Sequence, residues 1–166
     1  SESIPLDRVV RDKRARQCAS DPKNYPADLS ALPDTTVIFV FVNEEKSVLL
    51  RSIHSVLNKS PPSLLKEIVL VDDGSDEAYI TQGVDVPGSL EEYIAKALPS
   101  KVRLIRQGSR TGLIQARLAG MRAATAQTVT VLDSHIEVQD GWLEPLMARI
   151  AGDRSRVVMP VIDGLS

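Results

Sequence analysis

The chain is expected to form an α/β fold: a mostly parallel sheet with flanking helices. Two observations predict it. Apolar, β-branched runs such as Val37–Val42 and Ile68–Val71 have the composition of strands covered on both faces. Between them lie stretches with the apolar period of an amphipathic helix. Strand and helix alternating in this way imply right-handed crossovers between parallel neighbours.

Taken in order, residues 1–35 read as an extended arm, with four of the ten prolines (Pro5, Pro22, Pro26, Pro33) and little periodicity. Within it, Arg8, Arg11, Lys13, Arg14 and Arg16 form a basic cluster that reads as a solvated face. Residues 36–166 form the folded part. Val37–Val42 is the first strand. Glu44–Lys59 is a helix with Val48, Leu49, Ile53, Val56 and Leu57 on one face, stopped by Pro61-Pro62. Ile68–Val71 is a second strand, and a Gly/Pro-rich stretch leads to a helix at Leu90–Leu98. Val102–Ile105 (strand), Thr111–Thr125 (helix), Thr128–Leu132 (strand) and Trp142–Ile150 (helix) come next. Val157–Val161 has the composition of a fifth strand, weakened by Pro160.

Composition narrows the function. The 166 residues carry 20 Lys+Arg against 22 Asp+Glu, a net charge of −2, with 43% hydrophobic and 25% charged residues. These are globular values and exclude a disordered chain. Without a basic excess, no nucleic-acid partner is expected. No apolar run approaches the roughly 20 residues that cross a bilayer. The opening Ser1-Glu2-Ser3-Ile4-Pro5 lacks the apolar core of a signal peptide. Cys18 is the single cysteine, so no disulfide closes within the chain. It reads either as the thiol of a cytosolic protein or as half of a pair whose partner lies outside this sequence.

In parallel sheets, ligands bind beyond the carboxyl ends of the strands. Here those ends carry Asn43-Glu44, Asp72-Asp73-Gly74-Ser75-Asp76, Arg106 and Asp133-Ser134-His135. Neither G-x-G-x-x-G nor G-x-x-x-x-G-K-[ST] occurs, which favours phosphate binding through a metal over binding by bare backbone. Asp133 and His135, two apart in an extended segment, share a side and offer donors suited to Mn²⁺. The competing reading is an Asp that ends a buried strand and caps the next segment. Asp72 and Asp73 read either as turn residues or as acceptors for a base or ribose. Arg110 and Arg117, seven apart, share a face if the helix starts early, and would then face a pyrophosphate. His54 reads as structural. Asn58-Lys59-Ser60 fits the N-glycosylation pattern weakly, with Pro61 directly after it.

Together these segments resemble the polypeptide N-acetylgalactosaminyltransferases, which are glycosyltransferase family 2-like enzymes. The likeness is carried by Ile4-Pro5-x-x-Arg8, Phe41-Val42-Asn43-Glu44, Ser47–Val56, Leu65–Asp73, Arg110–Arg117, Asp133-Ser134-His135 and Gly141–Leu146. The resemblance implies a GT-A, Rossmann-like fold, of which this chain would be the nucleotide-sugar-binding half, with the third metal ligand and the acceptor-binding half downstream. It implies transfer of N-acetylgalactosamine from UDP-GalNAc to Ser or Thr of a polypeptide acceptor, with retention of configuration. Asp73, Arg110 and Ser134 would contact the nucleotide sugar, and Asp133 and His135 would bind Mn²⁺. It further implies the Golgi lumen, a membrane anchor upstream of this sequence, and a cysteine outside it that pairs with Cys18. Three positions depart from the family pattern. Val42 stands where many members carry His, and Ile136 and Val138 stand where cysteines are common. These departures support a second expectation, a catalytically inactive or regulatory relative that keeps the fold. A phosphoacceptor domain built on Asp72 and Asp73 is a remote third, because the third strand ends in Arg106 and offers no lysine.

Overall fold

The structure, a computed structural model, describes residues 3–164. Four parallel strands form its sheet: β1 (Thr35–Phe41), β2 (Leu65–Asp72), β3 (Val102–Arg106) and β4 (Thr128–Asp133). Their order is β3-β2-β1-β4. The chain therefore moves outward from β1 through β2 to β3, then returns to the other side of β1. That reversal is a topological switch point, and in such sheets ligands bind beyond the carboxyl ends of the strands that flank it, here β1 and β4.

Six helices accompany the strands: α1 (Arg16–Ala19), α2 (Lys46–Lys59), α3 (Ala78–Thr81), α4 (Leu90–Ala97), α5 (Leu113–Ala123) and α6 (Glu144–Gly152). The continuous apolar run of β1 is explained by two covered faces. Val37, Phe39 and Phe41 pack with Leu49, Ile53 and Val56 of α2, and with Ile80 and Leu90 of α3 and α4. Ile38 points the other way, with Val69 and Val71, against Ala116 of α5. Gly120 lets α5 approach, since a Cβ there would lie 2.5 Å from Ile38 Cγ2. A smaller cluster joins Leu64 to Leu143, Leu146 and Met147 around α6, with Leu29 and Leu32 against it.

The expected elements shift where local chemistry intervenes. α2 starts at Lys46, not Glu44, because Asn43 adopts φ +50° and turns the chain out of β1. α5 starts at Leu113, not Thr111, because Gly112 adopts φ +89°. α6 starts at Glu144 with a proline in its first turn, where the missing N–H costs nothing. The fifth strand does not form. Residues 157–161 pair with no strand, and Val157, Met159 and Val161 are exposed. Pro160 lacks the donor that a ladder needs.

Residues 3–34 carry no strand and only the four-residue α1. Leu6 packs on the main core. Arg8 grips Glu137 through two hydrogen bonds of 2.8 Å, Nε to Oε2 and Nη2 to Oε1. Arg14 donates to Asp12, to the Tyr25 hydroxyl and to the Gly141 carbonyl. Arg8, Lys13 and Arg14 of the basic cluster are thus engaged within the chain, while Arg11, Lys13, Arg14 and Arg16 all remain exposed, as expected of a solvated face. Cys18 is exposed and free among the described residues. His54 shares a 2.8 Å hydrogen bond with the Tyr93 hydroxyl, and burial pushes its pKa down despite the charge of Asp7. Ser60 of the glycosylation-like triplet is buried and accepts from the Trp142 indole. No helix of the described residues is long and apolar enough to cross a membrane.

Candidate functional site

Residues from three strand ends gather at the switch point. At the end of β1, Asn43 closes a turn against the segment after β2. Its side-chain oxygen accepts from the Asp76 and Glu77 amides at 2.9 and 3.1 Å, and its amide donates to Asp76 Oδ1 at 2.5 Å. Its own backbone N–H donates to Ser75 Oγ at 2.9 Å. This brace hands the chain on to Glu44, whose carbonyl accepts from the Tyr79 hydroxyl.

At the end of β2, Asp72 and Asp73 are both 2% exposed and do different work. Asp72 is a turn residue: Oδ1 accepts from Ser75 N–H, and Arg106 approaches Oδ2 at 3.4 Å. Asp73 reaches across to the loop before α5. It accepts from Thr111 N–H and Thr111 Oγ1, both at 2.7 Å, and from Gly112 N–H at 2.9 Å. Burial acts to raise its pKa, but these donors and the charge of Arg110 outweigh burial and hold the carboxyl below its ordinary range. Gly74 completes the brace. Its φ is +80°, and a Cβ there would lie 2.5 Å from the Arg110 backbone nitrogen. Arg110 is therefore an exposed side chain on a rigidly held loop. It precedes α5, so Arg110 and Arg117 do not share a helical face, contrary to what their spacing suggests.

At the end of β4, Asp133 and His135 are exposed, with 57% and 62% of their side chains in solvent. Arg117 stands 3.7 Å from Asp133 Oδ1, and its Nε is buried with no hydrogen-bond partner. Between them, Ser134 is 4% exposed and donates its hydroxyl to Glu44 Oε2 at 2.7 Å. His135 Nδ1 lies 3.2 Å from the same oxygen. Ser52 Oγ of α2 donates to the Ser134 carbonyl at 2.8 Å, pinning the turn from below.

Two groupings result: the Asp73-held loop with Arg110, and the Glu44-held turn with Ser134 and His135, flanked by Asp133 and Arg117. The donor chemistry of Asp133 and His135, one carboxylate and one imidazole facing solvent, fits a first-row divalent ion. Among the described residues no group of three His, Cys, Asp or Glu side chains converges as a metal site. Two ligands would hold such an ion only with further oxygens from substrate, water or another segment. Sequence reasoning reads Gly74 as the positive-φ glycine of an Asp-Asp-Gly-Ser turn, which the structure bears out, but assigns no site role to Glu44 or Thr111. Positive φ at an Asp-Gly turn is a legible signal for Gly74, whereas the Glu44 contact spans about 90 residues and has no local signal.

Comparison with known proteins fits this geometry. The glycosyl transferase family 2 profile matches residues 36–165. The chain is 46% identical over 165 residues to human polypeptide N-acetylgalactosaminyltransferase 9, covering 99% of this chain and 26% of that protein. It is 47% identical over 166 residues to Drosophila melanogaster polypeptide N-acetylgalactosaminyltransferase 3, covering all of this chain and 23% of that protein. The chain thus spans about a quarter of the length of these relatives. The crystal structure of GalNAc-T7 with UDP, GalNAc and Mn²⁺ superposes with a TM-score of 0.78 at 36% identity, over 93% of this chain and 26% of that one. The expected GT-A, Rossmann-like architecture is the one found. S. aureus TarS in complex with UDP-GlcNAc shares the fold alone, at 20% identity, a TM-score of 0.57, and coverage of 73% of this chain and 32% of that one. With the family model matching residues 36–165, well over half of its length, the chain belongs to glycosyl transferase family 2.

Proposed function

We propose that this chain is the donor-binding part of a polypeptide N-acetylgalactosaminyltransferase that takes UDP-GalNAc and Mn²⁺ and glycosylates Ser or Thr of a polypeptide. The observation that carries the reading is the carboxyl edge of the sheet at its switch point, where exposed Asp133 and His135 and a braced arginine loop lie beyond the ends of parallel strands. The similarity to enzymes of that name over nearly the whole chain supports it.

In this reading Arg110 and Arg117 bring positive charge to the diphosphate, and Asp133 and His135 hold the metal. Asp73 and Ser134, buried with their polar groups already engaged, form the floor against which the nucleotide sugar lies. When bound, Mn²⁺ supplies Lewis acidity that offsets the charge left on the departing diphosphate. The acceptor oxygen forms its bond to the anomeric carbon and loses its proton. The bond from that carbon to UDP breaks with its electron pair going to UDP, and the configuration is retained. The residues of this chain act by fixing the donor, which converts a two-body encounter into an oriented one. The reading carries with it a Golgi-lumen protein whose membrane anchor and Cys18 partner lie elsewhere in a longer chain.

The test is calorimetric titration of UDP with and without Mn²⁺. Manganese-dependent binding that disappears in His135→Ala is expected, whereas binding of equal strength without Mn²⁺ would overturn the reading. Transfer of N-acetylgalactosamine to a mucin-like peptide by this chain would exclude a donor-binding relative without turnover, the alternative that Val42 motivates.

A further inference from the structure

The turn that carries His135 is organised around one carboxylate oxygen. Glu44 Oε2 receives the Ser134 hydroxyl at 2.7 Å and faces His135 Nδ1 at 3.2 Å. An ionised carboxylate only accepts hydrogen bonds, so the His135 nitrogen facing it must carry the proton. In a neutral imidazole the other nitrogen, Nε2, is then left with its lone pair. Glu44 is itself held. The positive φ of Asn43 sets the direction of the chain into it, and its carbonyl accepts from Tyr79. Its carboxylate is only one-fifth exposed, so water competes weakly for the contact. A carboxylate behind a metal-binding imidazole fixes both the tautomer and the ring orientation.

We propose that Glu44 is the positioning residue for His135: it holds the proton on Nδ1 and thereby presents Nε2 as the lone-pair donor to a divalent cation. This rests on the proposed function, in which His135 is a metal ligand. Glu44 approaches neither substrate nor metal in this role, and acts only through His135 and Ser134.

The chain contains two histidines, His54 and His135, so side-chain ¹⁵N NMR assigns both with one histidine variant. The measurement is made on metal-free protein at alkaline pH, under conditions where the ¹⁵N shifts themselves report a neutral imidazole. Wild type is expected to show His135 predominantly as the Nδ1–H tautomer. In Glu44→Gln, whose amide both donates and accepts, that preference should collapse toward a mixture while the His54 signals stay in place and report an intact fold. Mn²⁺ binding, measured by electron paramagnetic resonance, should weaken about 10- to 100-fold in the same variant. A wild-type His135 carrying its proton on Nε2, or an unchanged tautomer in Glu44→Gln, overturns the proposal. If His135→Ala loses Mn²⁺ while Glu44→Gln keeps full affinity, the positioning role fails and the metal site stands. If His135→Ala binds Mn²⁺ as wild type does, the metal reading itself fails.

Discussion

Where the strands of the sheet begin, Glu67 of β2 is surrounded by donors. Its Oε1 accepts from Thr36 Oγ1 at 2.9 Å, Thr125 N–H at 2.7 Å and Thr125 Oγ1 at 2.8 Å, while Oε2 receives Arg103 Nε at 2.7 Å. Where the strands finish, Asp133 has its nearest cation at 3.7 Å and more than half of its side chain in solvent. One carboxylate ties together β1, β2, β3 and the approach to β4; the other is left open. A fully satisfied polar network rigidifies a fold. An exposed carboxylate with one long ion pair contributes little to stability, and on the proposed reading its lone pairs stay available to a ligand. The stability of this domain should therefore depend on the end of the sheet where Glu67 lies, and not on the end where ligand binding is proposed.

The largest effect is expected at Glu67. Burial acts to raise its pKa, but Arg103, Thr125 and Thr36 overcome it and bring the group down to about 2 from an ordinary 4.5. A depressed folded-state pKa stabilises the protein fully above the unfolded value and loses that stabilisation as pH falls through the folded one. Between pH 4.5 and pH 2 the domain should lose about 3 kcal/mol from this group alone. Glu67→Ala should remove a similar amount at neutral pH by leaving the Thr36, Thr125 and Arg103 donors unpaired. Urea unfolding at several pH values checks both. A midpoint in Glu67→Ala within error of wild type would undo the contrast between the two ends.

Gly74 tests the same contrast from the ligand end. Alanine there would need φ near +80° and a Cβ inside the backbone of Arg110. The strain should cost about 1–3 kcal/mol and be relieved by displacing residues 109–111. Gly74→Ala should thus lower both the melting temperature and the affinity for UDP with Mn²⁺. Thr111→Val is milder. It removes one of three hydrogen bonds to Asp73, costs about 1 kcal/mol, and loosens the Arg110 loop without a steric clash. If affinity falls in Gly74→Ala and is unchanged in Thr111→Val, steric position and not the Asp73 brace sets the loop.

The legibility of each feature in the sequence depends on the range of the interaction behind it. The strand cores and the amphipathic face of α2 are legible, because apolar period and β-branched runs are local signals. Leu65 and Glu67 escape recognition as strand residues because Lys66 and Glu67 break the apolar run, and the Thr36, Arg103 and Thr125 donors make Glu67 tolerable inside. The segment Val157–Val161 has the composition of a strand but no partner to pair with. At the site, spacing and resemblance single out Asp133 and His135, and the structure leaves both side chains exposed beyond β4. Arg110 has a helical spacing to Arg117, yet Gly112 delays the helix beyond it. Glu44, Ser134 and His135 meet only because β1 and β4 are neighbours in the sheet, and strand order is not written in any short segment.

The smallest stability change and the clearest functional one should come from the same substitution. Asp133→Asn keeps the shape of the side chain and removes one charge from a position that is mostly in solvent. Its single ion pair is long, and exposed pairs contribute about 0–1 kcal/mol. The unfolding midpoint should therefore stay within about 0.5 kcal/mol of wild type. The amide, however, is a poorer ligand for a hard or borderline cation than the carboxylate it replaces, and one of the two exposed donors is lost. Manganese-dependent UDP binding should fall by at least about tenfold, and it should do so without the loss of neutral-pH stability expected for Glu67→Ala. Measured side by side, the two variants separate stability from ligand binding. If Asp133→Asn unfolds as early as Glu67→Ala, then Asp133 is a structural carboxylate, and the division between the two ends of the sheet does not hold.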